Sequence, residues 1–172
     1  MRYLTVHDIV WINAQICGEG VPFDYERLEA GMAAQYAYGD SRNVDAQAAR
    51  FVERMLRTAP FREGNLRTGL LCTTVFLMAN GRTIAAATSA LPDMVRQVAD
   101  GSADGSALLA QLTEGGHGSS GAGSVEAPPE ADAPLRALAF SAMQSLDEPL
   151  AKLEPHDGAV HGWSSSPYLH RD

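Results

Sequence analysis

Hydrophobic residues in the first part of the chain recur every three or four positions, as they do on one face of an α-helix. The first such pattern follows Thr5 and Asp8, a pair whose side chains can cap a helix N-terminus, and it stops at Gly18. A second helix is predicted over 24–38, with Gly39 ending it. The N-terminal third of the chain is therefore expected to be helical.

The third pattern is the most regular in the chain and begins at Asn43 or Asp45. Its apolar stripe consists of Ala48, Phe51, Val52, Met55 and Leu56. After a break at 59–65, residues 66–79 are apolar on nearly every side, so a helix there has no face suited to water. We predict that this helix is central and buried, and that Asn80 and Gly81 end it.

Two shorter helices are predicted next, one opening at Leu91-Pro92-Asp93 and one over 102–112. A stretch made almost wholly of Gly, Ser, Pro, Ala and acidic residues then predicts a flexible linker, because it cannot bury enough apolar surface to fold. The expected organisation is all-α: a domain of about six helices at 1–113, a linker at 114–134, an extra amphipathic helix at 135–153 and a polar tail at 154–172.

Composition and charge exclude several classes of protein. Apolar residues make up 45% of the chain and charged residues 20%, which is typical of a globular protein. The net charge of −8 argues against nucleic acid as a partner, since phosphate contacts need clustered Lys and Arg. The most apolar run, 69–79, is too short to span a membrane, and Cys17 and Cys72 are expected to be buried, reduced thiols. We expect a soluble cytoplasmic protein.

The segment with candidate chemistry lies just before the predicted buried helix. Gly64 lets the backbone approach an anion closely, and Asn65 is a suitable N-cap residue. Arg67 adds a cation that can bind phosphate, and Glu63 is a ligand type for a divalent metal ion. Because a helix N-terminus carries unpaired amides and a partial positive charge, these residues describe a phosphate-binding turn. An ordinary capped helix start is the alternative interpretation of the same residues.

The order of these residues resembles the signature of the Fic/Doc (Fido) family, His-x-Phe-x-Asp/Glu-Gly/Ala-Asn-Gly/Lys-Arg. The matching residues are Phe61, Glu63, Gly64, Asn65 and Arg67. The flanking helices resemble the Doc-like (death-on-curing toxin) branch, so that the resemblance covers about residues 2–113. It implies a helical Fido domain that transfers AMP or a phosphate from a nucleotide to a hydroxyl group of a protein target.

The resemblance also implies roles for individual residues. Phe61 would anchor the loop in the core, and Glu63 would bind Mg²⁺ of a Mg²⁺–ATP complex. The phosphate-binding positions would be Gly64, Asn65, Leu66 and Arg67, with Arg67 also acting in catalysis by neutralising phosphate charge. An antitoxin helix is the partner that the Doc-like branch implies.

The sequence departs from the family pattern at three positions. Ala59 stands where the family has the histidine that acts as general base, and loss of a general base typically lowers a rate about 100- to 10,000-fold. Leu66 replaces Gly or Lys and is expected to bring bulk without charge to the phosphate side, and Leu70 replaces the second arginine of the Fic branch. We therefore expect a degenerate member of a toxin–antitoxin-type system. An active transferase with another base and a non-enzymatic helix-binding module remain as alternatives.

Three further features have simpler and more specific interpretations. His7 is expected to be a partly exposed helical residue, although it could replace the missing base if the fold brought it close. His156, Asp157 and His161 have a spacing that could ligate a metal ion, but three ligands in a Gly-containing tail are weak support. The predicted helix at 135–153 either packs on the core as an extra helix or fills the groove of an antitoxin helix.

Overall fold

A computed structural model describes residues 1–36, 43–113 and 134–153 of the chain. Within these ranges the chain forms helices and no β-strand, apart from one isolated antiparallel bridge between Phe23 and Phe61. The helices are α1 (Val6–Cys17), α2 (Tyr25–Ala33), α3 (Val44–Thr58), α4 (Asn65–Ala79), α5 (Leu91–Asp100), α6 (Gly105–Thr113), α7 (Leu135–Ser145) and α8 (Asp147–Ala151). The predicted all-α fold is confirmed.

The helix α4 is the centre of the fold. Among its 15 residues only Arg67 and Met78 are not buried. It packs against α3, α1, α7 and α5, so neighbours surround it, as its apolar sequence predicts. Because α4 is surrounded by other helices, the loop that leads into its N-terminus starts from a fixed position in the core.

The helix α3 lies against α4 through its predicted stripe. All five residues of that stripe are buried: Ala48, Phe51, Val52, Met55 and Leu56. A Cβ added to Gly69 of α4 would lie 2.6 Å from Leu56 Cδ2, which shows how closely the two helices approach. A Cβ on Gly105 of α6 would lie 1.9 Å from the carbonyl oxygen of Ala49, so α6 also crosses α3 at backbone contact.

The predicted end of the second helix is wrong. α2 ends at Ala33, and 34–36 continue as a turn in which each amide bonds three residues back. The buried Gln35 side chain accepts from the amide of Leu4 at 2.8 Å and donates to its carbonyl at 2.7 Å. This pairing holds the N-terminal segment against the turn, and Tyr38 and Gly39 lie outside the described residues.

Most helix starts agree with the sequence, including those of α2 after Asp24 and of α5 at Leu91. Thr5 and Asp8 form the predicted capping box of α1, and Gly18 ends that helix with a left-handed backbone at φ 78°. Asn43 caps α3 through its side chain. The helix predicted from residue 102 begins instead at Gly105, because Ser102 belongs to the turn that follows α5.

The predicted helix at 135–153 is two helices, α7 and α8, which meet at Leu146. Pro149 explains the break, since it has no amide to donate to the carbonyl of Ser145 four residues earlier. Its amphipathic pattern consists of Leu138, Met143, Leu146 and Leu150, of which Leu138 and Leu146 are buried and the other two are partly buried. We call Leu135–Leu153 the C-terminal segment.

The predictions for the linker and the tail cannot be compared with the structure, whereas those for membrane spans and the cysteines can. Residues 114–133 and 154–172, the predicted linker except Pro134 and the predicted tail, lie outside the described residues. In the described part of the chain, no helix is both long and apolar enough to cross a membrane. Cys17 and Cys72 are free thiols, but only Cys72 is buried; Cys17 is half-exposed at the end of α1.

Candidate functional site

The loop between α3 and α4 begins with an unusual backbone conformation. Ala59 caps the C-terminus of α3 in the left-handed region, at φ 45° and ψ 67°. It is the only non-glycine residue with positive φ among the described residues. The following residues run beside the segment before α2: the amide of Asp24 donates to the carbonyl of Pro60 at 2.8 Å, and Arg62 donates to Pro22 at 3.0 Å.

Phe61 lies at the centre of this pairing with its side chain fully buried. Its ring centroid is 5.9 Å from that of Phe23 across the isolated bridge. This position suits the anchoring role that the resemblance implies for Phe61. The contacts of Pro22 and Phe23 with the loop, by contrast, cannot be predicted from the motif, because these residues come from a distant part of the chain.

Asn65 does not cap α4, contrary to the sequence prediction. Its side chain turns back into the loop, where Oδ1 accepts from the amide of Phe61 at 2.8 Å and Nδ2 donates to the Phe61 carbonyl at 2.6 Å. The N-cap is Gly64, which offers no side chain to the first turn. Asn65 therefore closes the loop on itself and leaves the helix N-terminus without a side-chain acceptor.

Gly64 occupies a place that no other residue fits without strain. Its φ of 76° lies in the left-handed region, and a Cβ would meet Cys17 Sγ at 2.8 Å and Asn13 Nδ2 at 3.2 Å. The buried Asn13 side chain donates from Nδ2 to the carbonyl of Glu63 and to Thr68 Oγ1, each at 3.0 Å. Asn13 thus fastens the turn to α1.

In the sequence, the one signal for this role of Asn13 is that a polar residue occurs within the apolar stripe of α1. A buried amide needs hydrogen-bond partners, and the partners here come from a loop 50 residues away.

The first turn of α4 presents unpaired amides. Within the described ranges, the backbone amides of Asn65, Leu66 and Arg67 have no acceptor, and the first intrahelical bond runs from Thr68 to Gly64 at 2.8 Å. The Leu66 side chain is 2% exposed and belongs to the core cluster. The expectation that it adds bulk on the phosphate side is wrong, and only its amide is available to an anion.

Charged groups flank these amides. Arg62 and Glu63 are exposed, whereas Arg67 is half-buried and its Nε donates to the carbonyl of Leu153 in the C-terminal segment. Cys17 Sγ lies 3.8 Å from the Glu63 carbonyl. Burial, with a smaller contribution from the Glu63 charge, raises the pKa of the Cys17 thiol, so this thiol is protonated at neutral pH.

A general base is missing from the described part of this loop. Ala59 is 1% exposed and carries only a methyl group at the family's histidine position. His7 is exposed near the start of α1, whereas Cys17 near the loop is ten residues further on, which is about 15 Å at 1.5 Å per residue. The four remaining histidines, His117, His156, His161 and His170, lie outside the described residues.

Among the residues of the site, one carboxylate is available as a ligand for the Mg²⁺ ion of a magnesium–nucleotide complex. The Glu63 carboxylate is exposed beside the first turn of α4 and has no hydrogen-bond or ion-pair partner among the described residues. Mg²⁺ commonly takes one or two carboxylates and completes its shell with phosphate oxygens and water, so one carboxylate is sufficient. No group of three His, Cys, Asp or Glu side chains that could hold a metal alone occurs in the described ranges.

The C-terminal segment lies beside the site. Phe140 packs edge-to-face on Trp11 of α1 with ring centroids 5.4 Å apart, and the Arg136 guanidinium lies 5.0 Å from the Trp11 ring. A groove of about 230 Å³ remains between the segment, the end of α1 and the first turn of α4. Its lining comprises Gln15, Ile16, Arg67, Met143, Asp147, Leu150 and Ala151.

Comparison with known proteins gives one match. Residues 3–77 match the model of the Fic/DOC family, and this stretch runs from the segment before α1 through most of α4. No curated protein and no solved structure matches the chain. The match spans the loop from Ala59 to Arg67 and both helices that hold it. The matched stretch is 75 of the 172 residues, so this N-terminal part of the chain is similar to the Fic/DOC family.

Proposed function

We propose that the protein is a degenerate, Doc-like Fido protein of toxin–antitoxin type. Its phosphate-binding turn is partly retained, and its transfer of AMP or phosphate to a protein hydroxyl group is lost or strongly impaired. One observation carries the proposal. The unpaired amides at the N-terminus of α4 lie within eight residues of Ala59, a buried alanine at the position where the family has its catalytic histidine.

Retained phosphate binding is supported by the first turn of α4. Three unpaired amides point the same way at the positive end of a 15-residue helix, and the left-handed Gly64 keeps a side chain away from them. The Arg67 guanidinium stands one turn into the helix. A bound Mg²⁺–ATP would supply the electrophilic phosphorus, with Glu63 as the protein ligand of the metal ion.

Loss of transfer is supported by Ala59. A target hydroxyl needs a group that accepts its proton as it attacks phosphorus, and a methyl group accepts none. The left-handed backbone at Ala59 is several-fold commoner for His than for most residues. The loop therefore keeps a backbone suited to the family's residue while lacking its imidazole.

Nucleotide binding is tested by calorimetry with Mg²⁺–ATP on the full chain. We expect heat of binding from the unaltered protein and a loss of about tenfold or more in affinity for Arg67→Gln, which corresponds to one charged hydrogen bond of about 1.5–3 kcal/mol. Arg62→Gln is the matched control, because it removes the same charge from the exposed part of the loop. No heat at millimolar nucleotide would contradict retained binding and favour the interaction-module alternative.

Transfer is tested by incubating the protein with a lysate and ATP labelled on either the α- or the γ-phosphate. We expect no labelled target from the unaltered protein, and labelling from Ala59→His, with the position of the label separating AMP from phosphate transfer. Ala59→Asn is the control, since Asn also tolerates the left-handed backbone but is not a base. Labelling by the unaltered protein would instead favour the alternative of a working transferase.

A further inference from the structure

The side chain of Asn13 bridges the two ends of the phosphate-binding turn. Its Nδ2 donates one hydrogen bond to the carbonyl of Glu63, before the turn, and one to Thr68 Oγ1, after it, each at 3.0 Å. Asn13 and Thr68 are 1% and 0% exposed, so water competes little for these bonds. Both donor protons of one side-chain amide therefore hold the arc that contains the backbone amides of 65–67.

The bond to Glu63 also sets the direction of the next amide in the chain. The peptide bond between Glu63 and Gly64 is planar and trans, so its C=O and N–H groups point in opposite directions. Because the Glu63 carbonyl is bonded to Asn13 on α1, the Gly64 N–H points away from that side chain. Within the described ranges this N–H has no hydrogen-bond acceptor. Gly64 thus adds its amide to those at the start of α4.

The backbone conformation at this point suits an anion. Gly64 is left-handed, at φ 76° and ψ 18°, and Asn65 begins the right-handed helix α4. Two successive residues of opposite hand turn neighbouring N–H groups toward one concavity, in which an anion accepts from several of them. The Gly64 amide contributes to this concavity while the Glu63 carbonyl stays turned toward Asn13. An amide that is held in advance needs no reorganisation when the anion binds.

The orientation of the Glu63 carbonyl depends mainly on Asn13. In the described part of the chain, the one other donor to this carbonyl is Cys17 Sγ, at 3.8 Å. A thiol is a weak hydrogen-bond donor and does not substitute for an amide. Removal of the Asn13 amide therefore leaves the peptide plane between Glu63 and Gly64 without a strong restraint.

We propose that Asn13 is a positioning residue of the phosphate-binding turn, which aims the Gly64 amide at a bound phosphate and fixes the arc from Glu63 to Thr68. This role rests on the proposed function, because it needs an anion at the turn. Asn13 acts through the backbone of Glu63 and Gly64 and does not touch the anion. The affinity of the turn for phosphate thus depends on a residue of α1, 50 positions before Glu63 in the chain.

Calorimetry on the full chain with Mg²⁺–tripolyphosphate tests the affinity. Asn13→Leu keeps the branched shape of the side chain but cannot donate, and Asn13→Ala removes most of the side chain. We expect both variants to bind about tenfold more weakly than the unaltered protein. The controls are Ile9→Val and Ile9→Ala, which destabilise the same helix without removing a bond to the turn, since Ile9 is buried one turn earlier on α1. Urea denaturation measures the stability of all four variants, so that affinity is compared at similar stability.

The direction of the Gly64 amide is measured separately by NMR with ¹⁵N-labelled glycine. An amide proton that donates to phosphate moves downfield, so the Gly64 resonance should do so when Mg²⁺–tripolyphosphate is added to the unaltered protein. In Asn13→Leu the shift of Gly64 at saturation should be smaller. Gly69 is the internal reference, because it lies inside α4. A merely structural role of Asn13 would lower stability without this selective change at Gly64.

Three sets of results separate the positioning role from the proposed function. Weaker binding by both Asn13 variants, with unchanged binding by the Ile9 controls and a smaller Gly64 shift, supports the positioning role. Unchanged affinity in the Asn13 variants, an equal loss in the Ile9 controls, or a full Gly64 shift in Asn13→Leu overturns it and leaves the proposed function standing. Failure of the unaltered protein to bind Mg²⁺–tripolyphosphate contradicts retained phosphate binding, and the positioning role falls with it.

Discussion

Replacement of Gly64 by alanine tests how tightly the turn is built against α1. Gly64 and Gly18 have nearly the same backbone, with φ of 76° and 78°. An L-residue in this region costs about 1–2 kcal/mol, so both Gly→Ala changes carry that cost. The surroundings differ: a Cβ at Gly18 meets nothing within 4 Å, whereas at Gly64 it meets Cys17 Sγ at 2.8 Å and Asn13 Nδ2 at 3.2 Å.

The clash should therefore appear as a difference between two variants. Overpacking in a closely packed region typically costs about 1–3 kcal/mol. We expect Gly18→Ala to lower the free energy of unfolding by about 1–2 kcal/mol and Gly64→Ala by about 1–3 kcal/mol more. Urea denaturation followed by circular dichroism measures both, and the change in midpoint at constant slope gives the difference in stability.

A second substitution assigns the clash to its partner. Cys17→Ala removes Sγ, the atom nearest to the new methyl group of Gly64→Ala. We expect the free energy of unfolding to be about 1 kcal/mol more favourable when Cys17→Ala is added to the Gly64→Ala protein than when it is added to the protein with Gly64. Asn13 is left unchanged, because its side chain holds Glu63 and Thr68. Equal losses for Gly18→Ala and Gly64→Ala would refute the reasoning, since the described contacts would then have no energetic consequence.

Two further predictions concern packing and the thiols. Gly105→Ala should lower the free energy of unfolding, measured by thermal unfolding, by about 3 kcal/mol or more. Its Cβ would lie 1.9 Å from the Ala49 carbonyl oxygen, a backbone atom that no change of side-chain rotamer can move. A loss below about 0.5 kcal/mol would show that the crossing of α3 and α6 is looser than described. Cys17 and Cys72 both have raised pKa values, mainly from burial, so the thiol form is favoured in the folded protein. Their contribution to stability is present below the unfolded cysteine pKa of about 8.5 and is lost as the pH rises above it. Alkylation of Cys17 should therefore begin at higher pH than that of free cysteine, and Cys72 should react only on unfolding; equal alkylation of both thiols at neutral pH would contradict this.

Much of the helical fold could be predicted because its causes are local. Thr5 and Asp8 are three residues apart and cap the same helix, so their pairing needs no distant partner. The apolar stripe of α3 predicts which face of that helix is buried, and the apolar sequence of α4 predicts burial on all sides. The structure confirms both predictions. The order of residues from Phe61 to Arg67 likewise predicts the position of the candidate turn from the sequence alone.

The predictions that the structure contradicts concern side chains whose surroundings cannot be read from the local sequence. Asn65 was predicted as an N-cap from its type, but its side chain is used by the backbone of Phe61. Leu66 was predicted to face the phosphate, but the surrounding core buries its side chain. Neither outcome is encoded in local spacing, because each depends on which neighbours compete for the group.

The helical class, the position of the turn and the absence of an imidazole at Ala59 can be predicted from the sequence, since they follow from residue type and short-range order. The hydrogen bonds of Asn13 to the turn and of Arg67 to Leu153 cannot, because they join residues 50 and 86 positions apart along the chain. A buried hydrogen-bonding group pairs with the groups that the packed core places beside it, and that packing depends on all the helices together.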